Sequence, residues 1–344
     1  MDVSRKDIRL SGRFLFLLFC EMKSPVPFVS TRGKRGRAFY LKNHVKNYIA
    51  FCCLLLAASL FLFGCKSEAV KNRAPDAARE ITDDLGRRVK LPAKVERAVS
   101  LAPNLTEIIF SVDAGERLVG VTSYCNYPAE AQKIQKIGDT INPNLETIIA
   151  LKPQVVFVST DSQIEAFAKT LDGQNIAVFI TNPKDVDGVY QSIFQIGEIF
   201  GKSEKALEVV DELKKRVADV EAKTSAARDV KVFVQISKDP LYTIGKSSFL
   251  TDLINRAGGV SVTENVDKAY QVFSKETALA LQPEAIILSE SEDNPEPNEV
   301  FKNSPAVRGG KVFRVNADLL SRASPRIVEA LEQIAKSLHP ESFE

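Results

Sequence analysis

The sequence predicts an α/β protein of two similarly built lobes, and three observations carry that prediction. Short apolar runs alternate with amphipathic helical stretches through most of the chain. A helix, proline and apolar strand unit recurs at an offset of 130 residues. Between its two occurrences lies one long helical stretch that no glycine or proline interrupts.

The elements read in order as follows. RAVSL (97–101) is a short buried strand. APNLTEIIFSVDAG follows it, with Leu105, Ile108, Ile109 and Val112 at helical spacing and Gly115 as the stop. RLVGV (117–121) is a second strand. Asn144 can cap the helix LETIIALK, and Pro153 opens the strand QVVFVS. QIEAFAKTLDG reads as a helix leading into the strand IAVFI (176–180). Buried strands alternating with helices imply a mainly parallel sheet covered on both faces.

The pattern changes after that strand. Residues 186–200 read as one helix stopped by Gly201. Ser203 can cap the next, which runs to about Ala226 with Leu207, Val210, Leu213, Val217 and Val220 on one face. Its 22 or so residues span about 33 Å at 1.5 Å per residue. Strand and helix alternation then restarts with KVFVQI (231–236), YTIG, helix SFLTDLINRAGG, helix KETALALQ, strand AIILS (285–289), strand KVFRV (311–315) and the helix PRIVEALEQIAKSL. The repeat sets LETIIALKPQVVFVS (145–159) against KETALALQPEAIILS (275–289). Six positions are identical, among them Glu146/Glu276, Thr147/Thr277 and Pro153/Pro283.

The front of the chain reads as a leader. Residues 47–64 form an apolar run behind Lys42, His44 and Lys46, the layout of an export signal. It ends Leu62-Phe63-Gly64-Cys65, which resembles a bacterial lipobox with Cys65 as the lipidated residue; Phe63 departs from the small residue preferred there. An uncleaved membrane anchor is the alternative, because the run nearly spans a bilayer. The first 40 residues fit neither reading, so the leader is expected to start near residues 41–45. The expected organisation is leader 1–64, tether 65–80, N-terminal lobe 81–184, helical linker 185–228 with its long helix at 203–226, and C-terminal lobe 229–344.

Charge divides at the same place. The formal net charge is +2, but residues 65–344 hold 35 basic and 41 acidic side chains. An acidic exported region argues against a nucleic-acid partner. Beyond Cys65 only Cys125 remains, which allows no internal disulfide and reads as a small buried residue.

Catalytic signals are weak. The two histidines are His44 in the leader and His339 near the C-terminus, so a histidine base or a His/Cys metal cage lacks its parts. TIGKSS (243–248) looks like a phosphate loop, but Pro240 stands where that pattern needs glycine, and Ser247 or Ser248 reads as a helix cap instead. No catalytic residue and no metal ligand is assigned. What remains fits recognition of a bulky, flat ligand: Tyr124 and Tyr127 in SYCNYP, Tyr270 and Phe273 on the segment before a helix, Tyr242 after a strand, and Asp318, Arg322 and Arg326 in ADLLSRASPR.

SYCNYPAEAQKI, NLETIIALKPQVVFV, FSKETALALQPEAIIL and SRASPRIVEALEQI together resemble the cobalamin-binding proteins of ABC importers, within a wider family that also binds ferric siderophores, haem, and zinc or manganese. The resemblance covers about residues 81–340. It implies two Rossmann-like α/β lobes joined by a single backbone helix (the class III periplasmic binding protein fold), a ligand between them, and no enzymatic activity. It also implies roles for particular positions. Glu146 and Glu276 would dock the permease dimer, which works with its ATPase subunits. Tyr124, Tyr242, Tyr270, Asp318 and Arg322 would contact the ligand.

The expected cargo is a corrinoid, with haem or a ferric siderophore as the alternative and no resident cofactor. The chain has no tryptophan, whereas the cobalamin binders use tryptophans at the positions matching Thr140, Ser159 and Tyr270. The expected protein is a monomer held by lipid on the extracytoplasmic face of a membrane. An anchored surface enzyme and a sensor lobe are the rival classes.

Overall fold

The apolar runs separate into two sheets. The computed structural model describes residues 79–159 and 169–344. The leader, Cys65 and most of the QIEAFAKTLDG stretch lie outside the described residues.

A hairpin comes first, of β1 (Arg79–Thr82) and β2 (Arg88–Leu91), paired antiparallel. Asp83 closes its turn by accepting the amide hydrogens of Leu85 and Arg87, and Gly86 supplies a positive φ of 75°. The pairing begins at Arg79, two residues before the lobe boundary expected from sequence.

The first parallel sheet follows, from β3 (Ala98–Ser100), β4 (Leu118–Val121), β5 (Val155–Val158) and β6 (Ala177–Ile180), in the order β4-β3-β5-β6. All four residues of β5 are buried, because helices or loops cover both faces of this central strand. Helix α1 (Pro103–Ser111) links β3 to β4, and α2 (Leu145–Ala150) precedes β5.

A helical hairpin then carries the chain across. Helix α3 (Val186–Phe200) ends at Gly201, whose φ of 68° sets the left-handed stop. Helix α4 (Ser203–Thr224) is 22 residues long. It lies along α3, because Gly197 leaves room for Ala206; a Cβ on Gly197 would sit 2.4 Å from the Ala206 Cβ. The buried stripe of α4 is Ala206, Val210, Leu213, Val217, Val220 and Thr224. Leu207, expected on that stripe, is half-exposed, since the close approach at Gly197 turns Ala206 inward instead. Ser203 is the first helical residue rather than its cap, the capping position being Lys202.

The second sheet contains β7 (Val230–Ser237), β8 (Tyr242–Ile244), β9 (Gly259–Ser261), β10 (Tyr270–Val272), β11 (Ala285–Glu290) and β12 (Val312–Asn316). Its parallel part runs β9-β7-β11-β12, the same order as the first sheet. The repeat is therefore structural. Asn144 and Ser274, 130 residues apart, cap α2 and α6 (Lys275–Leu281) by accepting the amide hydrogens of Thr147 and Thr277. Lys152 and Gln282, at the same offset, hold φ of 48° and 45° directly before the matched prolines. The right-handed helical region is disfavoured before proline, so each helix stops there.

Helix α5 (Phe249–Arg256) is capped by Ser248, which accepts the amide hydrogen of Leu250, as one of the two serines was expected to do. After α7 (Pro305–Arg308) and α8 (Ala317–Ser321), α9 (Ile327–Leu338) packs on α4. A bidentate Arg216–Glu332 pair at 2.9 and 3.0 Å ties the two. Arg256 on α5 reaches Asp187 on α3 at 2.8 Å and Glu221 on α4 at 2.9 Å. One apolar cluster runs from Leu105 and Val155 through Val210 and Val217 to Ile287 and Leu331, so both sheets share a core with the helical hairpin. Smaller clusters back each sheet on its other face.

Candidate functional site

The loop after β4 and the segment after β12 meet, although they lie about 200 residues apart in sequence. Their meeting point is a network of polar groups. Arg322 Nη1 donates to Glu107 Oε1 at 2.7 Å and to Asn126 Oδ1 at 2.8 Å. Arg322 Nη2 pairs with Asp318 at 2.7 Å, and the Asn126 amide donates to the other Asp318 oxygen at 3.0 Å. The Ser324 hydroxyl donates to the second Glu107 oxygen at 2.6 Å, and Arg326 approaches Glu107 at 3.5 Å.

The side chains of Glu107 and Arg322 are 2% and 7% exposed. Charges so buried persist only when paired and hydrogen-bonded, which this arrangement supplies. Arg322 and Asp318 thus come together with the loop that bears Tyr124. The two terminal nitrogens of the arginine hold the two segments to one another.

That loop is tightly held and carries exposed rings. Cys125 is buried, with Sγ 3.1 Å from the Thr106 hydroxyl and 3.2 Å from that of Thr122. Lys136 Nζ donates to the Cys125 carbonyl, and the Gln132 amide to the Asn126 carbonyl. Tyr124 is 58% exposed and Tyr127 47%. The Arg326 guanidinium lies 4.2 Å from the centroid of the Tyr127 ring.

Tyr242 and Tyr270 form a second group, on paired strands. Tyr242 stands opposite Val272 and Tyr270 opposite Ile244. Tyr270 lies on a strand within the segment before α6. The β10 strand is three residues long and has no buried residue to signal it. Burial pushes the Tyr270 phenol above its ordinary value, and a hydrogen bond with Ser248 pulls the other way. Ser248 also lines a recess of about 770 Å³ between the start of α3, at Lys184 and Asp185, and the segment from Lys246 to Asp267. That recess is polar, and none of the named tyrosines lines it.

Glu146 and Glu276 are both exposed in the first turns of α2 and α6. Each helix precedes the central strand of its sheet, β5 or β11, so the two carboxylates hold equivalent places in the two sheets. The Ser274 hydroxyl donates to Glu276 at 2.7 Å and holds its carboxyl below the usual range. Ser159 accepts from Asn104 at 2.9 Å. His339 is buried, with Nε2 2.9 Å from the Gly258 carbonyl oxygen. Among the described residues no group of His, Cys, Asp and Glu could hold a metal ion, and no helix is long and apolar enough to cross a membrane.

Sequence reasoning missed Glu107, Asn126 and Ser324. Only Glu107 left a signal there, as a carboxylate set inside the apolar pattern of APNLTEIIF.

Comparisons with known proteins agree with this architecture. The family described as periplasmic binding protein matches residues 99–319. An uncharacterized ABC transporter substrate-binding lipoprotein of Bacillus subtilis is 29% identical over 304 residues, 84% of this chain and 96% of the relative. A vitamin B12-binding protein of Photorhabdus laumondii is 26% identical over 243 residues, 71% of this chain and 88% of the relative. The crystal structure of the periplasmic vitamin B12 binding protein of Vibrio cholerae superposes with a TM-score of 0.65 at 24% identity, covering 73% of this chain and 98% of that one. The chain therefore belongs to the periplasmic binding protein family, the solute-binding components of ABC importers and not enzymes.

Proposed function

We propose that this protein captures a corrinoid outside the cytoplasmic membrane and hands it to an ABC permease dimer, while a lipid on Cys65 keeps it at the membrane. The observation that carries this reading is the meeting of the Tyr124 loop with Asp318 and Arg322 from the other sheet. Exposed aromatic rings beside fixed polar groups suit a flat macrocycle with amide side chains. The names of the vitamin B12-binding relatives point the same way. Tyr242 and Tyr270 are proposed as further ligand contacts on the second lobe. The proposed lobe boundaries, 81–184 and 229–344, bracket the two parallel sheets.

Glu146 and Glu276 are proposed as the docking carboxylates. They are exposed, related by the repeat, and set at helix starts where the backbone dipole favours negative charge. Partner arginines would meet them in charge-assisted pairs.

Titration of the purified protein with cobalamin, cobinamide, haemin and a ferric siderophore, followed by absorbance, tests the cargo. Tightest binding to a corrinoid supports the reading. Tightest binding to haemin or the siderophore favours the second reading, which the absence of tryptophan keeps open. Replacing both Glu146 and Glu276 with alanine is expected to leave affinity intact and to lower uptake in cells; unchanged uptake removes the docking role. Cys65→Ala is expected to move the protein from the membrane to the soluble fraction.

A further inference from the structure

We propose that Tyr127 is a stacking surface for the solute, with the Arg326 guanidinium backing one face of its ring and the ligand's flat conjugated face meeting the other. The inference rests on the solute-binding reading and adds to it a role for a residue to which the family resemblance assigned none.

Three observations support it. The first is exposure on a loop that is otherwise fixed. Asn126 is bonded from both ends of its side-chain amide, to Arg322 and to Asp318, and Cys125 is buried between two threonine hydroxyls. Between these anchors Tyr124 and Tyr127 keep 58% and 47% of their surface open. Single exposed apolar side chains are ordinary on protein surfaces, whereas two rings three residues apart on a held loop form a prepared surface.

The second is the arginine. It sits 4.2 Å from the ring centroid, so the guanidinium occupies one face of Tyr127 while 47% of the residue remains open. Its charge contacts are long for ion pairs, 3.5 Å to Glu107 and 3.8 Å to Glu329, so the ring contact shares in placing it. The third is place. The loop leaves the C-terminal end of β4, the side of an open α/β sheet on which ligands bind.

A planar macrocycle would complete a three-layer stack of guanidinium, phenol and ligand. The ring is what matters in this contact, and the hydroxyl is incidental to it.

The test uses the exported protein with cobalamin, cobinamide and haemin as probes, reading both affinity and the visible-band shift on binding. Tyr127→Ala is expected to weaken the preferred probe by about threefold to tenfold, the range for an offset aromatic contact, and to reduce the band shift. Tyr127→Phe is expected to stay within about twofold of the parent. Tyr127→Leu keeps bulk without a π face and is expected to behave like Tyr127→Ala; it decides the matter should Tyr127→Ala fail to fold. Parental affinity and band shift in both the Ala and Leu variants would overturn the inference and leave the solute-binding reading standing. A parent protein that binds none of the probes would overturn the inference together with the corrinoid and haem readings, leaving the ferric siderophore.

Discussion

Glu107 stands between Leu105 and Ile108 on a helix otherwise given to the core, and its carboxylate receives Arg322 and Ser324 from the far end of the chain. Removing one member of a buried pair leaves the other charge uncompensated. Glu107→Ala is therefore expected to destabilise the protein by about 3–5 kcal/mol, measurable by denaturant unfolding. A loss below 1 kcal/mol would mean that solvent reaches this network. Glu276 makes a milder statement. Its pKa is depressed by the Ser274 hydroxyl, so the contribution is present above the ordinary carboxylate range and is lost as pH falls through the lower folded value. Ser274→Ala is expected to move the Glu276 titration upward, which carboxyl-carbon NMR would register. The site was partly legible at this scale. Tyrosines and arginines in short motifs could be read directly. Glu107 could not be assigned, because pairing a buried carboxylate with a guanidinium 215 residues away is a property of the folded chain.

Among the elements, the α3–α4 hairpin turns on one small contact. Gly197→Ala would drive a methyl group into Ala206, and overpacking of this kind costs about 1–3 kcal/mol. Ala206→Gly in the same chain is expected to recover much of the loss, and a double-mutant cycle in thermal unfolding would show the coupling. The two repeat-related caps offer a parallel test. Asn144→Ala and Ser274→Ala should each cost about 0.5–2 kcal/mol. The two losses should add, since the helices belong to different sheets.

Long elements were readable because burial repeats along them: α3 matches the expected 186–200, and α4 falls two residues short of 226. The strands β1, β2, β9 and β10 escaped notice. Each has three or four residues and at most two buried side chains, too few to establish a period.

For the whole molecule, the shared apolar cluster and the Glu107–Arg322 network act together. Opening the two sheets away from one another would expose part of that core and strip partners from buried charges. The unliganded and loaded proteins are therefore expected to give superimposable small-angle scattering curves. A change in radius of gyration on loading would show that the network yields. Duplicate architecture was legible in sequence through the matched Glu-Thr and proline positions. How the copies join was not, because the shared core draws on side chains from nearly every element.

The duplication is also incomplete. β7 gives its first half to β9 and its second half to β8, which brings β10 with it, and among the described residues the first sheet has no counterpart to that antiparallel pair. The contacts proposed for the two lobes are thus unlike: loop-borne tyrosines from one, strand-borne tyrosines from the other. A guest with dissimilar faces would meet dissimilar surfaces and settle one way round, so the molecule would present its cargo with a defined polarity.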